Sequence, residues 1–411
     1  MEKFDAIIIG SGPAGMMAAI RAAERKRKIL LLERNDAPGR KLLISGKGRC
    51  NLTNSRDIGD FLDRFSPSGI FLRNAFARFF SAELVSFFES AGVRLKTERG
   101  GRVFPESNRS GDILGVLESK LKKPDIKILY GERAREIIVR NKKIEGVLTY
   151  SGRRFRSSRI AIATGGFSYP RTGSTGDGYD LAKKLKHEIV PLKPGLSPIL
   201  IKEKFIRAWQ GVSLKNVRLA LFSGGKKIDE RFGEMLFTHF GLSGPIVLDI
   251  SASVYDTLKK KNGAVMAINF KPALNHKKLD ARLLREFKAS PGKALKNVFR
   301  NLLPRGIIEG FLEYCGVDPG KNVSRITLAE RRKLIDGLFD LRLTPSGVMP
   351  AANGIITRGG VNTKEINPKT MESKIVKGLF FAGEVIDVDA VTGGYNMQAA
   401  FSTGWVCGDN I

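Results

Sequence analysis

A glycine-rich turn near the start of the chain constrains the fold more than any other feature. The run Gly10-Ser11-Gly12-Pro13-Ala14-Gly15 follows an apolar segment at 4–10 and opens an amphipathic segment at 16–26. These patterns predict a strand, a turn and a helix, and the apolar run 28–33 predicts a second strand, which together make one right-handed βαβ unit. In such a unit the first glycine makes the tight turn, the second lets backbone approach a pyrophosphate, and the third lets the helix pack closely. We therefore expect a Rossmann-type domain that binds a dinucleotide at the helix N-terminus.

An acidic residue at the end of the second predicted strand supports this expectation. Glu33 lies 18 residues after Gly15, where a carboxylate can accept hydrogen bonds from both hydroxyls of a ribose. A glycine-rich turn without a ligand is the alternative. The fingerprint alone does not separate NAD from FAD.

The C-terminal part of the chain favours FAD. The apolar run 378–382 ends in Gly383 and Glu384, an arrangement typical of FAD-type Rossmann proteins. A helix N-terminus follows at Gly393-Gly394-Tyr395-Asn396-Met397, and its free N–H groups can face the flavin or the pyrophosphate. Thr164 and Gly165 follow another predicted strand, at the turn where such domains pass the cofactor. No second such glycine motif follows a later strand, so NADPH or NADH is expected to bind only transiently as electron donor.

The pattern of the chain changes twice between these ends. Segments 126–131, 134–140 and 144–150 predict an antiparallel meander, short alternating segments beyond 191 predict a β-barrel, and 277–341 is helical in pattern. The fold class is thus α/β: a two-segment Rossmann-type FAD-binding domain, interrupted by a β-barrel-like insert and a helical stretch.

The net charge of the chain is the unusual part of its composition. The 70 Lys and Arg residues against 41 Asp and Glu residues give a formal charge of +29. Residues 1–196 hold 38 basic and 21 acidic residues, 197–345 hold 27 and 14, and 346–411 hold 5 and 6, so the excess is no basic tail. Such a field attracts polyanions such as RNA, or anionic membrane surfaces, although general solubility is the plainer interpretation.

Four segments together carry a family resemblance. They are GRKLLISGKGRCNLTN at 39–54, GGRVFP at 100–105, THFGLSGP at 238–245 and the long block at 358–400. The chain resembles, over essentially its whole length, the BaiN/RdsA family of FAD-dependent oxidoreductases. The resemblance implies a three-part architecture: a two-segment Rossmann-type FAD-binding domain with an inserted β-barrel domain and a small helical domain nested in it. The predicted boundaries are 1–192 and 351–411 for the FAD domain, 193–275 and 336–350 for the barrel, and 276–335 for the helical domain. It leaves the substrate open, because similar proteins include reducers of dehydro bile acids, aminoacetone oxidases and a dihydrouridine synthase acting on large-subunit ribosomal RNA.

The resemblance also implies site residues. Cys50, in the stretch expected near the flavin ring, could give a proton to carbon while hydride arrives at the other end of a C=C bond, or it could only pack. His239 is the second catalytic candidate, with a satisfied core histidine as its alternative, whereas His187 and His276 are expected at the surface. No metal site is expected, since the three cysteines lie far apart. Besides the residues already named, the expected cofactor-binding residues are Arg34, Arg40, Lys41, Arg49, Asn51, Ala134 and Asp387.

The leading functional hypothesis is reduction of uridine to dihydrouridine in large-subunit ribosomal RNA, with a reduced nicotinamide as donor. A small-molecule oxidoreductase with an incidental basic surface is the competing class, and an FAD-binding protein without turnover is a third. RNA contact is expected first in the basic run between Lys277 and Arg305. The cytoplasm is the expected location and no membrane partner is expected, since neither a signal peptide nor a long apolar span is evident. The oligomeric state is left open.

Overall fold

A computed structural model describes residues 2–65, 68–260 and 263–411. The chain divides into two compact units, one formed by residues up to 193 together with 351–411, and the other by 194–350. Each unit contains its own cluster of buried apolar side chains. Among the described residues, no helix is both long and apolar enough to cross a membrane.

The helices and strands follow the chain in three stretches. The first holds β1 (Glu2–Lys3), β2 (Ala6–Ile9), α1 (Pro13–Glu24), β3 (Ile29–Leu32), α2 (Arg40–Ile44), β4 (Thr53–Asn54), α3 (Ile58–Leu62), α4 (Gly69–Arg78), α5 (Ser81–Glu89), β5 (Leu95–Glu98), β6 (Arg102–Pro105), α6 (Ser110–Leu121), β7 (Ile126–Leu129), β8 (Ala134–Arg140), β9 (Lys143–Thr149), β10 (Arg154–Arg156), β11 (Ile160–Ile162), α7 (Asp177–Lys184) and β12 (Ile189–Gly195). The second holds β13 (Ile199–Ile201), β14 (Ser213–Ser223), β15 (Lys226–Thr238), β16 (Gly241–Ser243), α8 (Pro245–Lys259), β17 (Val265–Asn269), α9 (His276–Lys288), α10 (Leu295–Val298), α11 (Ile308–Tyr314), α12 (Leu328–Phe339), β18 (Leu341–Leu343) and β19 (Pro345–Val348). The third holds β20 (Ile356–Val361), β21 (Leu379–Phe381) and α13 (Tyr395–Asn410).

A five-stranded parallel sheet forms the centre of the first unit. Its order is β21-β11-β2-β3-β7, and every neighbouring pair is parallel. The side chains of β2 and β3 are all buried and apolar, as expected of a parallel sheet covered on both faces. The predicted βαβ unit of β2, α1 and β3 is confirmed.

One strand assignment in this unit was wrong. The run at 126–131 was expected to begin the antiparallel meander, but β7 pairs in parallel with β3 at the edge of the central sheet. The helix α6 precedes β7, and this helical crossover lets the chain return in the same direction as β3. The two following strands, β8 and β9, do pair antiparallel, and with β10 and β1 they form a separate four-stranded sheet.

The two ends of the chain meet through a pair of closely packed helices. A Cβ atom on Gly404 of α13 would overlap the carbonyl oxygen of Ala14 on α1, and one on Gly408 would lie 2.6 Å from the carbonyl oxygen of Ala18. These glycines, four residues apart on one helix face, let the two backbones approach without intervening side chains. Since β21 also pairs with β11, the C-terminal segment completes the domain that the N-terminal segment begins.

The second unit combines an antiparallel sheet with helices. The sheet has seven strands in the order β18-β17-β14-β15-β16-β13-β19. No pairing joins β18 to β19 within 194–260 and 263–350, so closure into a barrel stays a prediction. The helices α9 to α12 share one apolar cluster with the sheet, so a separate helical domain likewise stays a prediction.

Candidate functional site

The glycine-rich turn leaves space where a phosphate is expected. Gly10 has φ 103°, and a Cβ there would lie 2.6 Å from the Ala163 carbonyl oxygen, while a Cβ on Gly15 would overlap the Gly10 carbonyl oxygen. These two glycines are thus required by the fold itself. A Cβ on Gly12, in contrast, would meet nothing within 4 Å. Gly12 caps α1, whose first turn contains no acidic residue, so open space adjoins a helix N-terminus suited to an anion.

Glu33 lies directly behind this turn. Its side chain is buried, and one carboxylate oxygen accepts hydrogen bonds from the Ser11 backbone N–H (2.9 Å) and the Ser11 hydroxyl (2.6 Å). The other oxygen accepts from the Asn35 backbone N–H at 2.8 Å. A carboxylate has about four acceptor sites, so capacity for a ribose hydroxyl remains. The acid therefore fixes the turn to the end of β3 as well as being available to a ligand.

The turn after β11 contains an unsatisfied polar group. The Thr164 hydroxyl is buried and has no hydrogen-bond partner, and the neighbouring Gly165 has φ 73°. A Cβ on Gly178 would overlap that hydroxyl, so the N-terminal turn of α7 closes over it. Buried hydroxyls normally have a partner, so this one is a candidate for a water or a cofactor atom. The structure thus places Thr164 beside α7, at the end of the strand next to β2.

Lys41 and Glu384, predicted separately as cofactor residues, contact each other. The Lys41 ammonium lies 2.6 Å from a Glu384 carboxylate oxygen and also donates to the Ser168 hydroxyl at 2.6 Å. The other Glu384 oxygen accepts from the Thr357 backbone N–H at 2.8 Å. Because Glu384 neutralises Lys41, this lysine is not a free cation for a phosphate. Ser168 and Thr357 were missed from the sequence, and only their positions beside the ATGG turn and β20 could have indicated them.

Two arginines, one of them directly after Glu33 at the same end of β3, converge on one carboxylate. Arg133 donates to both oxygens of Asp177, at 2.7 and 2.8 Å, and Arg34 donates to the same carboxylate at 3.1 Å. Burial opposes ionisation of Asp177, but the hydrogen bonds from Arg133 and Thr175 and the charge of Arg34 outweigh it, so its pKa is lowered. Arg34 is therefore held by protein rather than free.

A cavity of about 420 Å³ adjoins this ion cluster. Ala134, a predicted cofactor residue at the start of β8, lies in its wall. The other lining residues are Arg133, Arg135, Tyr150, Asp177, Asp180, Leu181, Lys183 and Lys184. Arg40 lies apart from this set, pairing with Asp36 of its own loop.

The segment after α2 meets the N-terminus of α13. Asn54 donates to the Gly393 carbonyl at 2.9 Å, and a Cβ on Gly394 would overlap the Thr53 carbonyl oxygen. The Asn51 side chain faces the Gly394 N–H at 3.0 Å and the Thr53 carbonyl at 3.2 Å, and one amide orientation satisfies both. The structure thus brings together two predicted cofactor segments more than 330 residues apart.

Three further predicted residues lie in or near the start of α13, and one of them holds the loop before this helix. The Asn396 amide bonds both the N–H and the carbonyl of Ala390, each at 2.9 Å, so this side chain shapes the loop. Met397 packs against the apolar cluster of the unit. Burial raises the pKa of Asp387, partly opposed by the Gly359 N–H and by Arg358.

Cys50 is sealed inside the first unit. Its side chain is fully buried, its φ is 58°, and its N–H donates to the Ser45 carbonyl at 3.0 Å. Burial raises the pKa of the thiol to about 12, slightly opposed by a hydrogen bond with Ser45. The neighbouring Arg49 stacks over Phe104 at 4.0 Å and pairs with Glu98 at 2.9 Å. A proton donor needs contact with its substrate, so this burial favours the packing alternative for Cys50.

The three histidines differ in their surroundings. His239 lies in the second unit, exposed in the turn between β15 and β16, edge-on to Phe240. His276 is exposed, as expected, and stacks on Phe339.

The surface placement predicted for His187 was wrong. This side chain is buried, 3.0 Å from Glu365 and 2.9 Å from the Ser373 hydroxyl, and it lies edge-on to Phe381 of β21. The burial of His187 depends on partners near 370, which are distant from it in sequence.

Comparison with known proteins relates the whole chain to one family. The model of the HI0933-like protein Rossmann domain matches residues 4–410. The chain is 32% identical to the ribosomal RNA dihydrouridine synthase of Escherichia coli, across 100% of this chain and 98% of that protein. It is 30% identical to the 3-dehydro-bile acid delta(4,6)-reductase of Clostridium scindens, across 98% of this chain and 97% of that protein.

Solved structures support the same fold at greater distance. The 3-ketosteroid delta1-dehydrogenase of Sterolibacterium denitrificans superposes with a TM-score of 0.52 at 12% identity, across 99% of both chains. A flavocytochrome c3 fumarate reductase gives a TM-score of 0.52 at 15% identity, across 100% of this chain and 78% of that chain. These similarities concern the fold alone. The full-length relatives and the domain match show that the chain belongs to the HI0933-like family, whose members are FAD-dependent oxidoreductases.

Proposed function

We propose that the first unit holds FAD in one extended site. The residues present fit the cofactor: open space at Gly12, the carboxylate of Glu33, the orphaned Thr164 hydroxyl and the N-terminus of α13. Gly10, Ser11, Pro13, Ala14 and Gly15 would form the cradle for the pyrophosphate, with Glu33 at a ribose and Ala134 beside the cavity at the adenosine end. When bound, FAD would take hydride from NADPH or NADH and pass it to carbon.

We infer that the substrate bond is a C=C bond conjugated to a carbonyl group. The observation that carries this inference is the full-length similarity to two kinds of relative at once. One is named for making dihydrouridine in ribosomal RNA, and the other for reducing a dehydro bile acid. Uracil and a conjugated steroid ketone share such a bond, so the shared chemistry is its two-electron reduction.

Within this chemistry we propose uridine in large-subunit ribosomal RNA as the substrate. The charge of +29 supports a polyanion, because phosphate contacts require cations on a folded surface. Hydride would add at C6 of uracil and a proton at C5. A base within folded RNA must first be unstacked, which costs a few kcal/mol. An RNA-modifying enzyme of this kind would work in the cytoplasm.

We propose His239 as the proton donor, because its ring is exposed. Cys50 is kept as the second candidate, since its thiol is fully buried and the surrounding segment would have to open. We also retain the barrel and the nested helical domain as proposals for the second unit.

A small-molecule C=C reductase is the second candidate function. The bile acid reductase relative favours it, since that protein matches nearly the whole chain at 30% identity. In that case the basic surface would be incidental to catalysis.

Nucleoside mass spectrometry distinguishes the two candidates. Ribosomal RNA from a strain lacking the gene should lose dihydrouridine, and a plasmid copy should restore it. As a control, a plasmid copy carrying Gly12→Ala should restore less. Unchanged dihydrouridine in the deletion strain would refute the RNA substrate and leave the small-molecule reductase.

A further inference from the structure

The helix α9 presents an outward face on which every charged residue is a cation. Leu279, Leu283 and Phe287 are buried and mark the inward face, at the four-residue spacing of a helix packed on one side. At 100° per residue, the opposite face carries Lys277, Lys278, Arg285 and Lys288, all of which are exposed. These four residues are called the α9 face below.

The acidic residues of α9 do not neutralise this face. Asp280 lies toward the inward side and is bonded by Arg331 at 2.6 Å. Glu286 lies at the other flank, where the Asn301 amide donates to it at 2.7 Å and Arg282 is 3.9 Å away. Among the described residues, no carboxylate oxygen lies within 4 Å of a side-chain nitrogen of the α9 face. The acids of this helix thus serve internal contacts.

The position of two of these lysines opposes helix stability. Lys277 and Lys278 lie in the first turn of α9, which contains no acidic residue. The positive end of the helix dipole disfavours cations there, and the Asn275 cap already serves the Lys278 N–H. Residues that weaken the element carrying them are expected where a function requires them.

The surroundings of α9 add to the same excess of positive charge. Lys271, which follows β17, is half-buried, and its pKa is lowered by burial and by the adjacent charge of Arg282. Two other cations of the basic run are engaged, since Lys296 pairs with Glu309 at 2.9 Å and Arg282 donates to the Asn301 carbonyl at 3.1 Å. Lys293, Arg300 and Arg305 of the same run are exposed, so the α9 face is the part of the run that lies on one side of a single helix.

We propose that the α9 face binds the sugar–phosphate backbone of the substrate RNA, an inference that rests on the proposed function. The face extends over about 16 Å of helix, from Lys277 to Lys288, enough to contact several successive phosphates. Lysines and an arginine without acidic partners suit phosphates, which accept charge-assisted hydrogen bonds from such groups. The contacts carry no sequence information and position the RNA.

The test compares two triple charge reversals. The first is Lys277→Glu, Lys278→Glu and Arg285→Glu on the α9 face. The matched control is Arg140→Glu, Lys142→Glu and Lys143→Glu in the exposed turn between β8 and β9, which changes the net charge equally. Binding to a transcript of large-subunit ribosomal RNA is measured by fluorescence anisotropy at several salt concentrations. The double variant Lys277→Gln and Lys278→Gln serves as a check in case the triple variant misfolds. It removes two positive charges from the first turn of α9, where the helix dipole disfavours them, so it should fold.

The α9 variant should bind at least tenfold more weakly, and the slope of log affinity against log salt should fall in magnitude by about 2 to 3. The control should keep the wild-type slope. Equal losses of RNA affinity in both variants, or no loss in the α9 variant, would overturn the proposal. So would an α9 variant that no longer binds vesicles of anionic lipid but still binds the RNA as tightly as the wild-type protein. If the wild-type protein forms dihydrouridine in the transcript while the α9 variant does so equally well, only this surface is wrong. If the wild-type protein neither binds nor modifies the transcript, the proposed function fails with it.

Discussion

Replacing Gly12 with alanine should separate cofactor binding from folding. Gly12 has φ −73° and ψ 179°, a conformation open to alanine, and its added Cβ would meet nothing within 4 Å. Alanine restricts the unfolded chain more than glycine does, which should stabilise the protein by about 0.4–1 kcal/mol. A few tenths of a kcal/mol should be lost again, because alanine is a poorer helix cap than glycine. The free energy of unfolding without FAD should therefore change by less than about 0.5 kcal/mol.

FAD affinity should respond very differently to the same change. The methyl group would occupy the space in which a pyrophosphate approaches the backbone at the start of α1. Loss of one charge-assisted hydrogen bond costs about 1.5–3 kcal/mol, which raises the dissociation constant about 10- to 150-fold. Flavin fluorescence titration measures the affinity, and thermal unfolding by circular dichroism measures the stability.

Two other glycines serve as controls for this prediction. Gly115 is exposed in the middle of α6 with open space around it, so Gly115→Ala should stabilise the fold by about 0.5–1 kcal/mol without changing FAD affinity. Gly15→Ala should lower both the stability of the fold and the affinity for FAD, because its Cβ would overlap the Gly10 carbonyl oxygen. If Gly12→Ala binds FAD as tightly as the wild-type protein, the space at Gly12 does not receive the pyrophosphate.

Three more substitutions test separate parts of the site. Glu33→Gln should weaken FAD binding about tenfold or more and also lower the melting temperature. The reason is that only one of the two terminal atoms of an amide can accept a hydrogen bond, whereas the two Glu33 oxygens accept from Ser11 and Asn35. As a control, Glu132→Gln replaces an equally buried acid and should lower only the melting temperature. Cys50→Ala should leave FAD content and turnover within a few-fold of wild type, since the thiol is sealed and its pKa is about 12; a loss of about 100-fold or more would instead identify it as the acid. Burial lowers the pKa of His187, and the charge of Glu365 partly opposes this shift. As the pH falls, the unfolded chain therefore binds a proton at His187 before the folded protein does. The melting temperature of the wild-type protein should fall as the pH drops below about 6.5. His187→Gln should flatten that dependence between pH 7 and 5, and equal slopes in the two proteins would exclude His187 as its source.

The sequence allowed prediction of those parts of the site that depend on local backbone geometry. Gly10, Gly12 and Gly15 have fixed spacing because one turn and one helix end require it. The strand before Gly383 was likewise visible as an apolar run ending in small residues. Such features need only neighbouring residues, so they can be recognised without knowing the rest of the fold.

The parts that escaped prediction depend on residues distant in sequence. Lys41 meets Glu384 across 343 positions, and His187 is buried by Ser373 across 186. The strand β7 resembled its antiparallel successors because a short apolar run does not reveal the direction of its partner. In each case the deciding contact is set by how the parallel sheet and its crossovers bring distant segments together.

The distribution of paired and unpaired cations bears on how flavin chemistry and the basic surface are related. Near the predicted cofactor site three cations have carboxylate partners: Arg34 and Arg133 share Asp177, and Lys41 pairs with Glu384. On the outward side of α9, Lys278 and its neighbours have none within salt-bridge distance among the described residues. In the proposed site the glycine turn would hold the FAD pyrophosphate through backbone N–H groups and not through the cations of α9. Changes on α9 should therefore alter RNA binding without altering flavin content.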